Sequence, residues 1–146
     1  MALSSDEILK RLPHGGPMLF LDEVLEVGPT RVRTRTVLKE GFLLADGEGK
    51  VSPLVSIELF AQAAAAFMVN RVADTDRPFV QGALLGTRKL ECHVDRFEVG
   101  DVLEVEAEEV FGAGALAQFR CALFREGEKV AEGAINVVSG ADVVQD

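Results

Sequence analysis

The chain has 146 residues, nearly half of them hydrophobic, and a net charge of −9. That length suits one domain, residues 1–146, with a core of its own, and no Pro/Gly/Ser-rich linker, low-complexity run or internal repeat divides it. So acidic a chain excludes a general nucleic-acid role, because phosphate binding needs a basic surface. The first element is "SSDEILKRL", a short helix that Ser4 or Ser5 can cap, with Asp6 and Glu7 in its first turn. Pro13 and the Gly15-Gly16-Pro17 cluster stop it. "MLFLDEVLEV" and "TRVRTRTVL" then read as two strands turned at Gly28-Pro29. Strand alternation puts Arg31, Arg33 and Arg35 on one face.

"KEGFLLADGEGKV" is irregular. After it, "SPLVSIELFAQAAAAFMV" (Ser52 to Val69) reads as a helix with Ser52 at the N-cap and Pro53 at the first helical position, ending near Asn70. The run falls short of the ~20 residues that span a bilayer. It also carries Glu58 and Gln62, so no membrane association is expected. A helix that is apolar all round is expected in a protein core. "DTDRP" is a loop. Four strand-like runs follow: "FVQGALLGTRKLECHV", "DVLEVEAEEVF", "ALAQFRCALFRE" and "KVAEGAINVV". Many antiparallel strands and one long helix without a polar face imply an α+β hotdog fold, a curved antiparallel sheet wrapped around a central helix.

Within that helix Glu58 stands out, since a charge buried without a partner is costly. Gln62 lies one turn on, on the same face. Two readings stand: a catalytic carboxyl, or a Glu satisfied by Gln62 and backbone donors or exposed at a subunit edge. Two cysteines, Cys92 and Cys121, and a polar N-terminus are expected of a cytoplasmic protein with reduced thiols. His93 is a strand residue expected at the surface. It has one Cys neighbour and no cluster, so no metal site is expected.

Three motifs carry a family resemblance. "LPHGGPMLFLDEVLEV" (Leu12–Val27), "IELFAQAAAA" (Ile57–Ala66) and "LLGTRKLECHVDRFEVGDVLEVEAE" (Leu84–Glu108) resemble, in order, the opening, central helix and following strand pair of hotdog 3-hydroxyacyl-[acyl-carrier-protein] dehydratases. They look closest to the divergent branch associated with aryl-polyene synthesis. The resemblance implies dehydration of a 3-hydroxyacyl thioester, carried by an acyl carrier protein or CoA, to a trans-2-enoyl thioester in fatty-acid or polyene-type synthesis. It implies a phosphopantetheine arm that belongs to the substrate and no cofactor. It also implies a homodimer or higher oligomer, or a heteromer with a second hotdog dehydratase, with Phe79–Thr87 as the candidate interface strand.

Residue by residue, the resemblance places the catalytic carboxyl on Glu58, with Gln62 beside it toward the substrate. The chain departs from the family at two points. The usual base, a His fourteen residues before the helix Glu, is Leu44 here. The family's helix-start Gly is Pro53, which has no N–H. The next amides, those of Leu54 and Val55, are therefore expected to face the thioester oxygen, at a helix end that favours negative charge. By elimination His14 becomes the candidate base, since His is suited to proton transfer near neutral pH; a purely structural His14 in its Pro/Gly turn stands beside that reading. Glu58 is then the acid at the departing hydroxyl. Asp22 either orients His14 near the substrate or holds backbone amides. The Arg31/Arg33/Arg35 stripe with Arg88 and Lys89 is either solvated charge or a docking patch for an acidic carrier protein. Two rivals share the fold: a hotdog thioesterase using its helix carboxyl, and an inactive subunit that pairs with an active dehydratase.

Overall fold

The computed structural model describes residues 3–73, 83–113 and 116–138. Helix α1 (Ser5–Arg11) is capped by Ser4, not Ser5. The Ser4 hydroxyl accepts from the Glu7 N–H while the Glu7 carboxylate accepts from the Ser4 N–H, a reciprocal capping box. Ser5 instead turns outward from the helix and accepts from the Val24 N–H at 2.8 Å, tying α1 to the first strand. A 3₁₀ turn, Gly16–Met18, follows. It takes the residues that were expected to begin a strand, so β1 runs only over Glu23–Val27.

The remaining elements are β2 (Arg31–Val37), β3 (Lys50–Val51), α2 (Val55–Arg71), β4 (Ala83–Cys92), β5 (Phe97–Glu98), β6 (Val102–Ala113), β7 (Leu116–Arg125) and β8 (Glu128–Val138). Six strands form one antiparallel sheet in the order β1-β2-β6-β7-β8-β4, and β3 pairs with β5 separately. The helix starts later than expected. Ser52 does not cap it; its hydroxyl accepts from the Leu54 N–H at 3.2 Å in the turn before the first helical residue.

Alternation decides which way each strand faces. Val32, Thr34 and Thr36 of β2, Leu103, Val105 and Ala107 of β6, and Ala117, Phe119, Cys121 and Leu123 of β7 all point inward and are buried. They meet Leu59, Phe60, Ala63, Ala66 and Phe67 of α2, so the sheet wraps the helix as the hotdog arrangement requires. Phe67 and Phe119 meet edge to face at 5.6 Å between centroids, a favoured geometry for aromatic pairs.

The outer face of the sheet carries the charges. Arg31, Arg33 and Arg35 do share it, opposite Glu108, Glu106 and Glu104 of β6 in register. At the other edge, β4 makes an irregular step between Arg88 and Glu91, with Lys89 at φ 60°. The bulged backbone there crosses so close to β8 that a Cβ on Gly133 would lie 2.9 Å from the Lys89 carbonyl oxygen. Only glycine fits that crossing without a shift. No helix among the described residues is long and apolar enough to cross a membrane.

Candidate active site

The site begins where α1 ends. Leu12 turns to extended backbone at the C-cap and is buried, and Pro13 cannot continue the helix. Gly16, at φ 56°, provides the left-handed step that starts the 3₁₀ turn. The segment then runs alongside α2, held there by Phe20, which is buried and packs on Phe42 at 4.8 Å.

Gln62 fastens this segment to the helix. It is 0 % exposed. Its Nε2 donates to the Met18 carbonyl at 2.9 Å and to Glu58 Oε2 at 2.8 Å, and its Oε1 accepts from the Phe20 N–H at 2.9 Å. Gln62 is therefore enclosed by its own chain and does not face a substrate directly, contrary to the substrate-binding role expected for it.

With the segment so placed, His14 Nε2 lies 3.5 Å from Glu58 Oε2. The side chains are 21 % and 37 % exposed, so both open to the surface of the single chain. Glu58 was expected to be buried; its helix face is left partly uncovered. His14 Nδ1 is buried and has no hydrogen-bond partner among the described residues. The nitrogen of His14 that can exchange a proton is thus Nε2, the one beside the carboxyl.

Other expected site residues fall elsewhere. The Val55 N–H donates to the Ser52 carbonyl at 3.1 Å, and the Leu54 N–H is taken by the Ser52 hydroxyl. Neither amide stands free to hold a thioester oxygen, because the chain makes two tight turns before α2 and uses them there. Asp22 does not touch His14. Its carboxylate accepts from the Val37 N–H at 2.7 Å and pairs with Lys39, so it clips the end of β2. Leu44 is half exposed at the family's base position and supplies only hydrocarbon.

The arginine stripe is paired across strands. Arg33 bonds Glu104 at 2.9 Å and approaches Glu106 at 3.8 Å; Arg35 bonds Glu23 at 2.9 Å and Glu104 at 3.4 Å; Arg31 reaches Glu106 at 4.0 Å. The three cations face three carboxylates, so the stripe is no net basic patch. Lys89 is more open, with 82 % of its side chain exposed and Glu91 at 3.7 Å. The side chain of Arg88 and residues 79–82 of the expected interface strand lie outside what is described.

The two cysteines differ. Burial pushes the Cys121 thiol up to about 12 and raises Cys92 as well. Cys92 Sγ lies 3.9 Å from the Pro53 carbonyl, fixing the end of β4 beside the start of α2. His93 follows the strand, is exposed, and meets Glu132 at 3.2 Å. The His93 contact, with Lys129 nearby, holds the Glu132 carboxyl below its usual value. Among the described residues no group of three His, Cys, Asp or Glu could hold a metal ion.

Sequence reasoning foresaw Glu58, Gln62 and His14 but missed what links them. The backbone groups of Met18 and Phe20 are partners that no side-chain pattern reveals.

A family model described as ApeP-like, ApeP dehydratase, matches residues 6–145. Among solved structures, the dehydratase heterocomplex ApeI:P from Xenorhabdus doucetiae matches with a TM-score of 0.83 and 22% identity, over 99% of this chain and 97% of that one. A hypothetical thioesterase with coenzyme A from Streptococcus pneumoniae matches with a TM-score of 0.61 and 13% identity, over 80% and 84% of the two chains. A mutant form of the phenylacetic acid degradation protein PaaI from Thermus thermophilus matches with a TM-score of 0.60 and 19% identity, over 80% and 91%. These likenesses establish the hotdog fold. A search of curated proteins finds no match.

Proposed function

The chain belongs to the ApeP-like dehydratase family, and from that premise we propose that it removes water from a 3-hydroxyacyl thioester to give the trans-2-enoyl thioester. The observation that carries this reading is the pairing of His14 Nε2 with Glu58 Oε2 at 3.5 Å within one chain. Dehydration needs a base at C2 and an acid at the C3 hydroxyl. Those carbons are directly bonded, so an acid and a base side by side can serve both. His14 Nε2 takes the C2 proton, and the electrons of that C–H bond form the C2–C3 double bond. The C3–O bond breaks with its electron pair on oxygen, and Glu58 gives that oxygen the proton that completes water. Charge developing on the thioester oxygen is favoured by the positive end of α2.

The phosphopantetheine arm arrives with the substrate, on a carrier protein or CoA, and the steps require no metal or redox cofactor. For an acidic carrier protein, the exposed Lys89 is a better docking point than the arginine stripe, whose charges are already answered. Lys89 stands three residues before Cys92, which touches the start of the helix that bears Glu58.

A second subunit completes the proposal. The solved Xenorhabdus relative is a heterocomplex, and here β4 ends the sheet with one edge unpaired among the described residues, as a strand-pairing partner would require. Leu44 in place of the family's base favours a second reading, in which this chain lends its fold to an active partner.

One product assay separates the readings. The purified chain, alone and co-expressed with a second hotdog dehydratase subunit, is given a 3-hydroxyacyl thioester. Enoyl thioester from the chain alone supports the proposal. Free acid supports the thioesterase rival, and no product without the partner supports the paired subunit.

A further inference from the structure

The three bonds of Gln62 fix which end of its amide is which. The Phe20 N–H is only a donor, so it must meet the amide oxygen. The Met18 carbonyl is only an acceptor, so it must meet the amide nitrogen. Turning the amide over would set two donors against each other at Phe20 and an oxygen against two acceptors at Met18 and Glu58. With Gln62 fully enclosed, solvent does not compete for these contacts. The second N–H is therefore committed to Glu58 Oε2 at 2.8 Å.

That commitment divides the two oxygens of Glu58. Oε2 faces the Gln62 N–H and, at 3.5 Å, His14 Nε2. A proton on Oε2 would point at a donor. Oε1 has no hydrogen-bond partner among the described residues, so a neutral Glu58 carries its proton there. We propose that Gln62 is the positioning residue of the dehydration site: it reserves Glu58 Oε2 as an acceptor and thereby assigns the proton delivered to the departing hydroxyl to Oε1. The inference rests on the dehydratase reading above. In the step itself the Oε1–H proton passes to the hydroxyl oxygen as the C3–O pair leaves with it, while the C2 proton goes to His14 Nε2. Gln62 exchanges no proton. Its bonds to Met18 and Phe20 also hold the segment that carries His14, so one side chain sets both the carboxyl and its distance from the imidazole.

The groups around this cluster are few. His14 is the ionisable side chain within ion-pair reach of Glu58 among the described residues. Cys92 lies at the helix start against Pro53, and the Arg71–Glu109 pair lies at the far end of α2.

The test compares Gln62→Glu with Gln62→Met. A neutral carboxyl at 62 keeps an oxygen for the Phe20 N–H and an O–H for Glu58; an ionised one repels Glu58. For Gln62→Glu, kcat should fall at least tenfold at pH 7, recover as the pH is lowered, and peak at a more acidic pH than wild type. Gln62→Met should lose activity at every pH, with no recovery. A merely structural Gln62 predicts losses that follow the fall in Tm and profiles of unchanged shape, and that result would overturn the proposal, as would kcat within twofold of wild type in both variants. A second readout does not need turnover. The side-chain amide resonances of Gln62 should shift as the pH is lowered in wild type and stay constant in Glu58→Gln. If wild type makes no enoyl product, the dehydratase reading fails on its own account. The amide shifts then decide separately whether Gln62 governs Glu58, and constant shifts in wild type would rule that out.

Discussion

Replacing Glu58 by Gln removes an ionisable proton and little else. The new amide has the same shape, and its oxygen can take the place of Oε2 in front of the Gln62 N–H. Glu58 is 37 % exposed and its contact with His14 is 3.5 Å, so the ion pair lost is a partly solvated one, worth about 0–1 kcal/mol. Folding stability should therefore change by less than about 1 kcal/mol. The rate should not be spared. A positioned general acid contributes on the order of 10²–10⁴ in rate, which is about 3–5 kcal/mol of barrier. The assay follows enoyl thioester formation by absorbance or mass, with urea denaturation of the same samples to fix stability. A variant that turns over within threefold of wild type would refute the assignment and make Glu58 a structural residue. A variant that loses activity and several kcal/mol together would refute the claim that the carboxyl is dispensable for folding.

Other outcomes follow from the packing and charges. Phe67→Ala should cost about 3–5 kcal/mol, because the ring is buried against Phe119 and lies beneath the Arg71 guanidinium at 5.0 Å; a change under about 1 kcal/mol by denaturation would contradict that packing. Gly133→Ala should destabilise measurably by thermal melting, since its methyl would meet the Lys89 carbonyl, and an unchanged Tm would show that the bulge yields freely. Burial raises the Cys121 thiol to about 12 against an ordinary value of 9.0, so the folded state keeps its proton where the unfolded state loses it. The stability this gives is complete below about pH 9 and is lost as the pH climbs toward 12, at up to about 1.4 kcal/mol per unit; Cys121→Ala should flatten that alkaline slope relative to wild type, and equal slopes would count against it. Lys89→Glu should raise KM for a carrier-bound substrate and spare a pantetheine thioester, an effect that shrinks with salt; equal effects on both substrates would place docking elsewhere.

Much of the architecture was legible because it rests on periodicity. The alternation of Leu103, Val105 and Ala107 with Glu104, Glu106 and Glu108 declared a strand with one wet face, and the apolar run after Pro53 declared the central helix. Strand order and register were not legible. The glutamates that answer Arg31, Arg33 and Arg35 lie some seventy positions away, and only the pairing of β2 with β6 brings them together. The paired strands β3 and β5 are two residues each, too short to leave a pattern. At the site, Glu58, Gln62 and His14 stood out by residue type, while the tie between them runs through backbone atoms at Met18 and Phe20. Leu54 and Val55 were expected to offer amides because Pro53 has none. The Ser52 side chain and carbonyl took both, a local turn that neither composition nor resemblance announces.

The central claim is that one chain holds both proton-transfer groups, with His14 acting in place of the base that Leu44 lacks. The measurement that meets it most directly is the pH dependence of enoyl formation by His14→Ala, with the fold checked by circular dichroism. The account predicts a folded protein, turnover lost by on the order of 10² or more, and no limb in the profile near the His range. A folded His14→Ala protein with unchanged kcat and an unaltered profile would contradict it.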